Sequence, residues 1–371
     1  MIAPIRRRTL VFTGGGTGGH LYPALALARS LPGLRPLFVV PDDRGDAERL
    51  GGEFESVTLS LPRVDRGRLL FPARFAVALR RGRRLLKERG AVAVVGMGGY
   101  ASVPVCLAAR TLRLPIYLIE CNAVAGRATR VLVRLASGVG LGSWGAFAQM
   151  QRHAACRVTG TPVRDEMRKE AVAEDFGLDQ NRPVLLVVGG SQGAVGLNTR
   201  VLDGVASCQD LDFQVLHCAG AIDADRVSEA YRVLSRSARV VDFLSDMGAA
   251  YAVADLVLAR GGASTVAECL ALRQPAVFVP YPHHKDAQQV WNAWDAVRGG
   301  AARLVKEEDL SPVVFRQLIS ELLLDPHERT RMCEAAAAMA APDAARTMAA
   351  HLLETLGPAV GEESWMAELG E

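Results

Sequence analysis

The sequence predicts two doubly wound α/β domains in one chain, and three observations carry that prediction. Short apolar runs alternate with helix-period segments along most of the length. A glycine-rich turn at residues 13–20 follows the first run, and a second, at residues 189–193, follows a fresh run about half a chain later. The 371 residues, 50% of them hydrophobic, suffice for two cores of ordinary domain size.

Residues 9–12 read as the first strand and residues 22–31 as the first helix, so Thr-Gly-Gly-Gly-Thr-Gly-Gly-His at 13–20 is a strand-to-helix turn. Glycine is needed where φ is positive or a ligand must touch backbone, and the N–H groups opening a helix attract anions. Gly14, Gly16 and Gly19 satisfy G-x-G-x-x-G, and Asp42 and Asp43 end the next apolar run. A dinucleotide site is therefore one reading of this turn. Runs at 36–40, 91–95, 116–119, 139–141 and 158–159 have the length of buried parallel strands. Turn residues at 160–164 end the series, so the first domain is placed at 1–164.

A strand at 183–188, the turn Gly-Gly-Ser-Gln-Gly at 189–193 and a helix from Ala194 open the second domain, placed at 165–341. Strands near 213–217, 238–241, 256–258, 276–279 and 302–305 follow. Ligands in such sheets bind outside the carboxyl ends of the strands. The expected active site is thus a cleft between the domains. Residues 326–356 read as helices with an Ala-rich middle; the helix at 342–357 is expected to pack back on the first domain, and 358–371 form a polar tail.

Seven scattered cysteines without a C-x-x-C argue for a reducing compartment and against a disulfide framework or structural zinc. The basic N-terminus leads into a strand, not an apolar signal core, and no run approaches the roughly 18 apolar residues of a membrane span. The expectation is a cytosolic protein whose membrane contact, if any, is peripheral. Its net charge of +3 conceals an asymmetry: residues 1–164 carry 25 Lys+Arg against 9 Asp+Glu, and the remainder 18 against 31. The basic half calls for an anionic partner, nucleic acid or a membrane surface.

Within residues 255–268, a strand runs into Arg260-Gly-Gly-Ala263-Ser264-Thr265-Val266-Ala267-Glu268, whose small residues suit a diphosphate and whose glutamate suits ribose hydroxyls. A capped helix is the competing reading, since Thr265-x-x-Glu268 resembles a capping box. Residues 280–292 supply the paired amides Gln288 and Gln289, suited to sugar hydroxyls. His20 is a candidate base because an unperturbed imidazole titrates near neutrality; a helix cap or a core histidine is the alternative. Asp210-Leu-Asp212 spells D-x-D, a cation motif, but lies in an acidic turn before a strand and is read as structural. The pair His283 and His284 is read as solvent-exposed, and no metal or other cofactor is expected.

The 13–20 turn with His20, Gly98-Gly99-Tyr100-Ala101-Ser102, Glu120-x-Asn122, Gly160-Thr-Pro-Val-Arg164, Gly189-Gly-Ser191-Gln-Gly193, the 261–268 stretch and Asp286 to Asn292 occur in the order of the MurG family, which the chain resembles from about residue 9 to residue 350. That family comprises membrane-associated N-acetylglucosaminyltransferases of peptidoglycan synthesis with the two-domain GT-B fold. The resemblance implies inverting transfer of GlcNAc from UDP-GlcNAc to the MurNAc 4-hydroxyl of undecaprenyl-pyrophosphoryl-MurNAc-pentapeptide (lipid I), giving lipid II. It implies donor-binding positions at Asn122, Arg164, Ser191, Leu244 (through its backbone), Ala263, Ser264, Thr265, Val266, Ala267, Glu268, and Gln288 or Gln289. Thr17, Gly18 and Gly19 match the loop closing on the donor sugar, and Gly98, Gly99 and Tyr100 the acceptor pyrophosphate pocket. His20 matches the base, with Glu120 and Glu268 as alternatives. Cys121 stands where the family usually has Gln, and a thiol cannot replace that amide's hydrogen bonds.

With this partner in view, residues 63–89, holding ten basic and two acidic residues, read as a helix for the anionic cytoplasmic leaflet, with Phe71, Phe75 and Leu79 on one stripe. Stacking aromatics in an RNA module's arrangement are absent, so no nucleic-acid partner is expected; other cell-wall synthesis proteins are compatible partners. Competing readings are a same-fold transferase with another lipid or natural-product acceptor, a UDP-GlcNAc 2-epimerase, an NAD-dependent oxidoreductase, and a silent sugar-nucleotide sensor.

Overall fold

The computed structural model describes residues 8–16, 18–42, 45–60, 71–152, 155–190, 193–283, 286–357 and 360. The chain divides into two compact units, one formed by Met1–Pro162 with Asp343–Glu371, the other by Val163–Pro342.

The first unit is a seven-stranded parallel sheet, order β3-β2-β1-β4-β5-β6-β7. Its elements run β1 (Arg8–Thr13), α1 (Gly18–Arg29), β2 (Leu34–Pro41), α2 (Asp46–Arg49), β3 (Glu55–Leu59), α3 (Phe71–Glu88), β4 (Ala91–Gly96), α4 (Ser102–Thr111), β5 (Ile116–Glu120), α5 (Arg127–Leu132), β6 (Gly138–Leu141), α6 (Trp144–Met150) and β7 (Ala155–Val158). Successive apolar residues of β1 face opposite sides, so Leu10 and Phe12 enter one core and Val11 the other. The helix α14 (Ala344–Leu356) lies against this sheet because β6 makes room for it. A methyl group on Gly140 would fall 2.7 Å from Met348 Cγ, and one on Gly138 2.8 Å from Thr355 Oγ1. The Tyr117 hydroxyl meets His351 Nδ1 at 2.9 Å, and Arg157 pairs with Glu354, tying α14 down.

The second unit is a six-stranded parallel sheet, order β10-β9-β8-β11-β12-β13. Its strands are β8 (Val184–Val188), β9 (Gln214–Cys218), β10 (Ala238–Val241), β11 (Leu256–Ala259), β12 (Ala276–Phe278) and β13 (Ala302–Leu304). Between them run α7 (Val195–Ala206), α8 (Ala224–Val233), α9 (Met247–Ala252), α10 (Ala263–Ala271) and α11 (Gln288–Arg298); α12 (Pro312–Leu318) and α13 (Pro326–Met339) follow. Gly204 admits the Phe315 ring, whose Cγ lies 2.2 Å from where a β-carbon would sit, so α7 and α12 pack at close range.

In both sheets the strand order reverses beside the first strand of the unit, between β1 and β4 and between β8 and β11. That is where a doubly wound sheet opens a crevice at its carboxyl edge. The glycine loops after β1, β4, β8 and β11 stand at these two points. One expectation is corrected: α1 begins at Gly18 rather than residue 22, so Gly18, Gly19 and His20 form its first turn. The N–H groups of a first turn have no intrahelical acceptor to lose, which lets two poor helix formers stand there.

Candidate active site

In the first unit, two loops interlock through their missing side chains. Gly14, Gly15 and Gly16 have φ of 132°, 99° and 92°, and Gly98 has 88°, a region that other residues reach only with strain. A β-carbon on Gly14 would stand 2.5 Å from the Gly98 carbonyl oxygen, and one on Gly98 2.9 Å from His20 Cδ2. The imidazole therefore lies directly over Gly98. Tyr100 is half-buried beside Ala78 and Ala101. Thr17 lies outside the described residues.

His20 is held below its ordinary pKa by desolvation, against the opposing charges of Glu120 and Asp46. At pH 7 the ring is neutral and one of its nitrogens carries a lone pair. Glu120, by contrast, already has hydrogen-bond donors on both its oxygens. Oε1 accepts from the Asn122 N–H at 3.1 Å and from Asn122 Nδ2 at 3.0 Å; Oε2 accepts from the Gly126 N–H at 2.8 Å and the Thr129 hydroxyl at 2.7 Å. Such a carboxylate is a staple that fixes Asn122 and the following loop, which argues against Glu120 as the base. Burial pushes the Cys121 thiol up to about 12, so it is neither nucleophile nor base.

In the second unit, the turn after β11 is laced to the start of α11. A β-carbon on Gly261 would meet the Gln289 carbonyl at 2.4 Å, and Asn292 Nδ2 donates to the Gly261 carbonyl at 3.1 Å. Gln289 Oε1 accepts from the Tyr281 N–H at 2.8 Å. That oxygen holds the turn to the start of α11. Ala263, Ser264, Thr265 and Ala267 are half-buried, whereas the Val266 side chain is buried in the core and has only its backbone to offer.

Glu268 accepts from the Tyr251 hydroxyl at 3.0 Å. Burial pushes its carboxyl up to about 7, and the Tyr251 hydrogen bond and the positive charge of Arg164 hold it from going higher. Arg164, whose side chain is 14% exposed, also faces Glu166 at 3.6 Å and Met167 Sδ at 3.4 Å. The fold thus brings together Arg164 and Glu268, 104 positions apart in the chain. Leu244 has a buried side chain, and its backbone N–H faces the Cys218 thiol. Ser191 lies outside the described residues.

Several predicted positions do other work. Asp210 pairs with Arg316 at 2.5 Å and Asp212 with Arg182, so both D-x-D carboxylates have arginine partners. Among the described residues no three His, Cys, Asp or Glu are grouped as metal ligands. His283 packs edge-on against Tyr281, and His284 is outside the described residues. On α3, the Phe71 and Phe75 rings meet at a tilt with centroids 5.7 Å apart, both half-buried, while Leu79 packs on the first unit's own core. Leu79 is therefore a domain contact rather than part of an outward apolar stripe; Ala78, Gly82, Leu85 and Leu86 complete that inward face.

Three residues escaped the sequence reading. Asp46, fully buried on α2, accepts from the Gly16 N–H. Tyr251 serves Glu268. Asn198, also buried, donates to the Ala219 carbonyl at 3.0 Å and to Asp223 at 2.8 Å, and accepts from His217, pinning α7 to the end of β9. Only Asn198 carried any signal, as a polar residue on the inward stripe of α7.

Residues 10–141 match the Glycosyltransferase family 28 N-terminal domain and residues 184–348 the Glycosyltransferase family 28 C-terminal domain. The fold and these matches define a two-domain, GT-B glycosyltransferase. A protein of Corynebacterium efficiens named UDP-N-acetylglucosamine–N-acetylmuramyl-(pentapeptide) pyrophosphoryl-undecaprenol N-acetylglucosamine transferase is 38% identical, covering 94% of this chain and 98% of its own. One of the same name from Anaeromyxobacter sp. (strain Fw109-5) is 36% identical, covering 92% and 91%. The crystal structure of Acinetobacter baumannii MurG is similar with a TM-score of 0.74 at 27% identity, covering 94% of this chain and 99% of that one. The chain belongs to the MurG family.

Proposed function

We propose that the protein transfers GlcNAc from UDP-GlcNAc to the MurNAc 4-hydroxyl of lipid I, releasing UDP and forming lipid II for peptidoglycan synthesis. The observation that carries the reading is the placing of Arg164, Glu268 and the 260–262 turn at the switch point of the second sheet, in a chain that matches a relative of this family over 94% of its length. There the N–H groups opening α10, with Ser264 and Thr265, hold the diphosphate, and Glu268 accepts from the ribose hydroxyls. Leu244 meets uracil through its backbone, and Gln288 or Gln289, Ser191 and Asn122 serve the sugar and phosphates. Gly98, Gly99 and Tyr100 receive the acceptor pyrophosphate.

Chemistry is a single in-line displacement. The acceptor oxygen attacks the anomeric carbon, its bond to UDP breaks with the electron pair leaving on the β-phosphate, and the hydroxyl proton passes to His20. The α-linked donor thus becomes a β-linked product without a covalent intermediate. A neutral imidazole is the form this step requires, and burial supplies it at pH 7.

The protein acts as a peripheral protein at the anionic cytoplasmic face of the membrane. No helix among the described residues is long and apolar enough to cross a membrane. Exposed Arg74, Arg80, Arg81, Arg84 and Lys87 on α3 support attraction to anionic headgroups. Incubation with labelled UDP-GlcNAc and a short-chain lipid I analogue tests the assignment. Labelled disaccharide-lipid with equimolar UDP is expected; UDP release only with another acceptor would move the assignment elsewhere.

A further inference from the structure

Beneath the opening glycine loop sits a carboxylate with no part in the reaction as described above. Asp46 is fully buried, its Oδ2 accepting from the Gly16 N–H and its Oδ1 from Arg49 Nη1 at 2.9 Å. A β-carbon on Gly15 would fall 2.7 Å from Oδ2, so the carboxylate lies in contact with the loop backbone. On the loop's other side, the Gly15 carbonyl stands 2.9 Å from where a β-carbon of Gly99 would be. The three left-handed glycines are thus clamped between Asp46 and the Gly98-Gly99 turn, and His20 stands four positions after Gly16, in the first turn of α1, with its ring over Gly98.

We propose that Asp46 is a positioning residue for the transfer. Its buried carboxylate holds the Gly16 N–H, and with it the loop that delivers His20, and turns a negative charge toward that imidazole as it takes up the acceptor's proton. The inference rests on His20 being the base. Burying a charge is costly unless it is paired and hydrogen-bonded, and Arg49 together with Gly16 meets both conditions here. Among the described residues, the charges that act on His20 include Glu120 from β5 and Asp46 from α2, with Arg49 behind Asp46. Glu120 is saturated by four donors from its own loop, whereas Asp46 bonds the loop that carries His20.

Asp46→Asn keeps an oxygen for Gly16 but removes the charge. The His20 imidazole, followed by NMR and assigned by its absence in His20→Ala, is expected to titrate about one unit lower in this variant. Turnover should fall at least tenfold, with uridine affinity unchanged, and the acid limb of the turnover profile should move down with the imidazole. Should Asp46→Asn fold poorly, Arg49→Met gives the opposite test, since Arg49 is partly exposed and its loss strengthens the field of Asp46; imidazole and acid limb then move up. An unmoved imidazole, or lowered turnover with an unmoved limb, would reduce Asp46 to a structural contact and overturn the inference. Near-normal turnover in His20→Ala would instead remove the base on which it rests, and the two failures are distinguishable.

Discussion

Glu268→Gln is expected to stabilise the protein at pH 8 while leaving it little changed near pH 4.5, and to weaken donor binding. The carboxyl is raised from 4.5 to about 7 in the folded chain. A folded-state pKa above the unfolded one contributes stability that is full below pH 4.5 and is lost as pH rises through 7. The loss amounts to about 3 kcal/mol, from roughly 2.5 units at 1.36 kcal/mol each. The glutamine amide does not titrate and its oxygen can still accept from Tyr251. The gap between variant and parent should therefore open with pH, reaching roughly 6–12 °C in the melting temperature of a unit this size. Thermal melts of both proteins at pH 5, 6, 7 and 8 and constant ionic strength measure it. A gap that does not change with pH would mean that Glu268 does not titrate near neutrality. On the binding side, a carboxylate accepts from ribose hydroxyls better than a carboxylic acid does. Parent affinity should thus rise about tenfold from pH 6 to pH 8 as the ionised fraction climbs. Uridine is the suitable probe, since a terminal phosphate titrates in the same range. The variant should show no such rise, the exchange of stability against binding expected of a strained ligand site.

His20→Ala should lower turnover by about 10²–10⁴-fold, the range for losing a general base, and leave uridine affinity within about twofold. Near-normal turnover would remove His20 from the chemistry. Gly98→Ala puts a methyl group 2.9 Å from the His20 ring at a φ of 88°, so it should cost roughly 1–3 kcal/mol in denaturant unfolding and lower turnover more than donor affinity; parental turnover would mean the ring is not held there. The two titrating groups should also separate kinetically. The profile of kcat/KM for UDP-GlcNAc should break near pH 7, where free Glu268 loses its proton, whereas kcat at saturating donor should break only below 6.5, where His20 titrates. A single shared break in both would refute the assignment of the two groups.

The fold class was legible because buried parallel strands are short apolar runs, and both sheets are parallel throughout. The strand that escaped, β3, is the exception that shows why. Glu55-Ser-Val-Thr-Leu59 is a half-exposed edge strand, alternating polar with apolar residues, and no five-residue window of that kind stands out from a loop. The start of α1 escaped for a different reason. Gly18 and Gly19 have low helix propensity, and the packing of His20 over Gly98, distant in sequence, helps hold that first turn in place. The inward turn of Leu79 was hidden as well, since a stripe at i and i+4 marks one face of a helix without saying what covers it.

Motif spacing exposed His20 and Glu268 because each stands at a fixed offset from glycines in its own turn. What makes them chemically apt was beyond reach of spacing, because it is supplied by residues distant in sequence. Asp46 lies 30 positions from Gly16, in a stretch that reads as solvated surface, and its burial depends on how α2 folds under the loop. Tyr251 lies 17 positions from Glu268, in an Ala-rich segment that reads as core, which it is, except for one hydroxyl. Glu120 shows the converse. The resemblance offers it as an alternative base, and the four donors gathered from residues 122–129 argue for a staple instead. A carboxylate's identity is written in the chain, but whether it carries a proton, takes one or never exchanges one is decided by burial and by the donors that surround it. Those are properties of the fold, so the sequence can nominate the members of such a site while the burial and donors that bear on their roles come from residues distant in the chain.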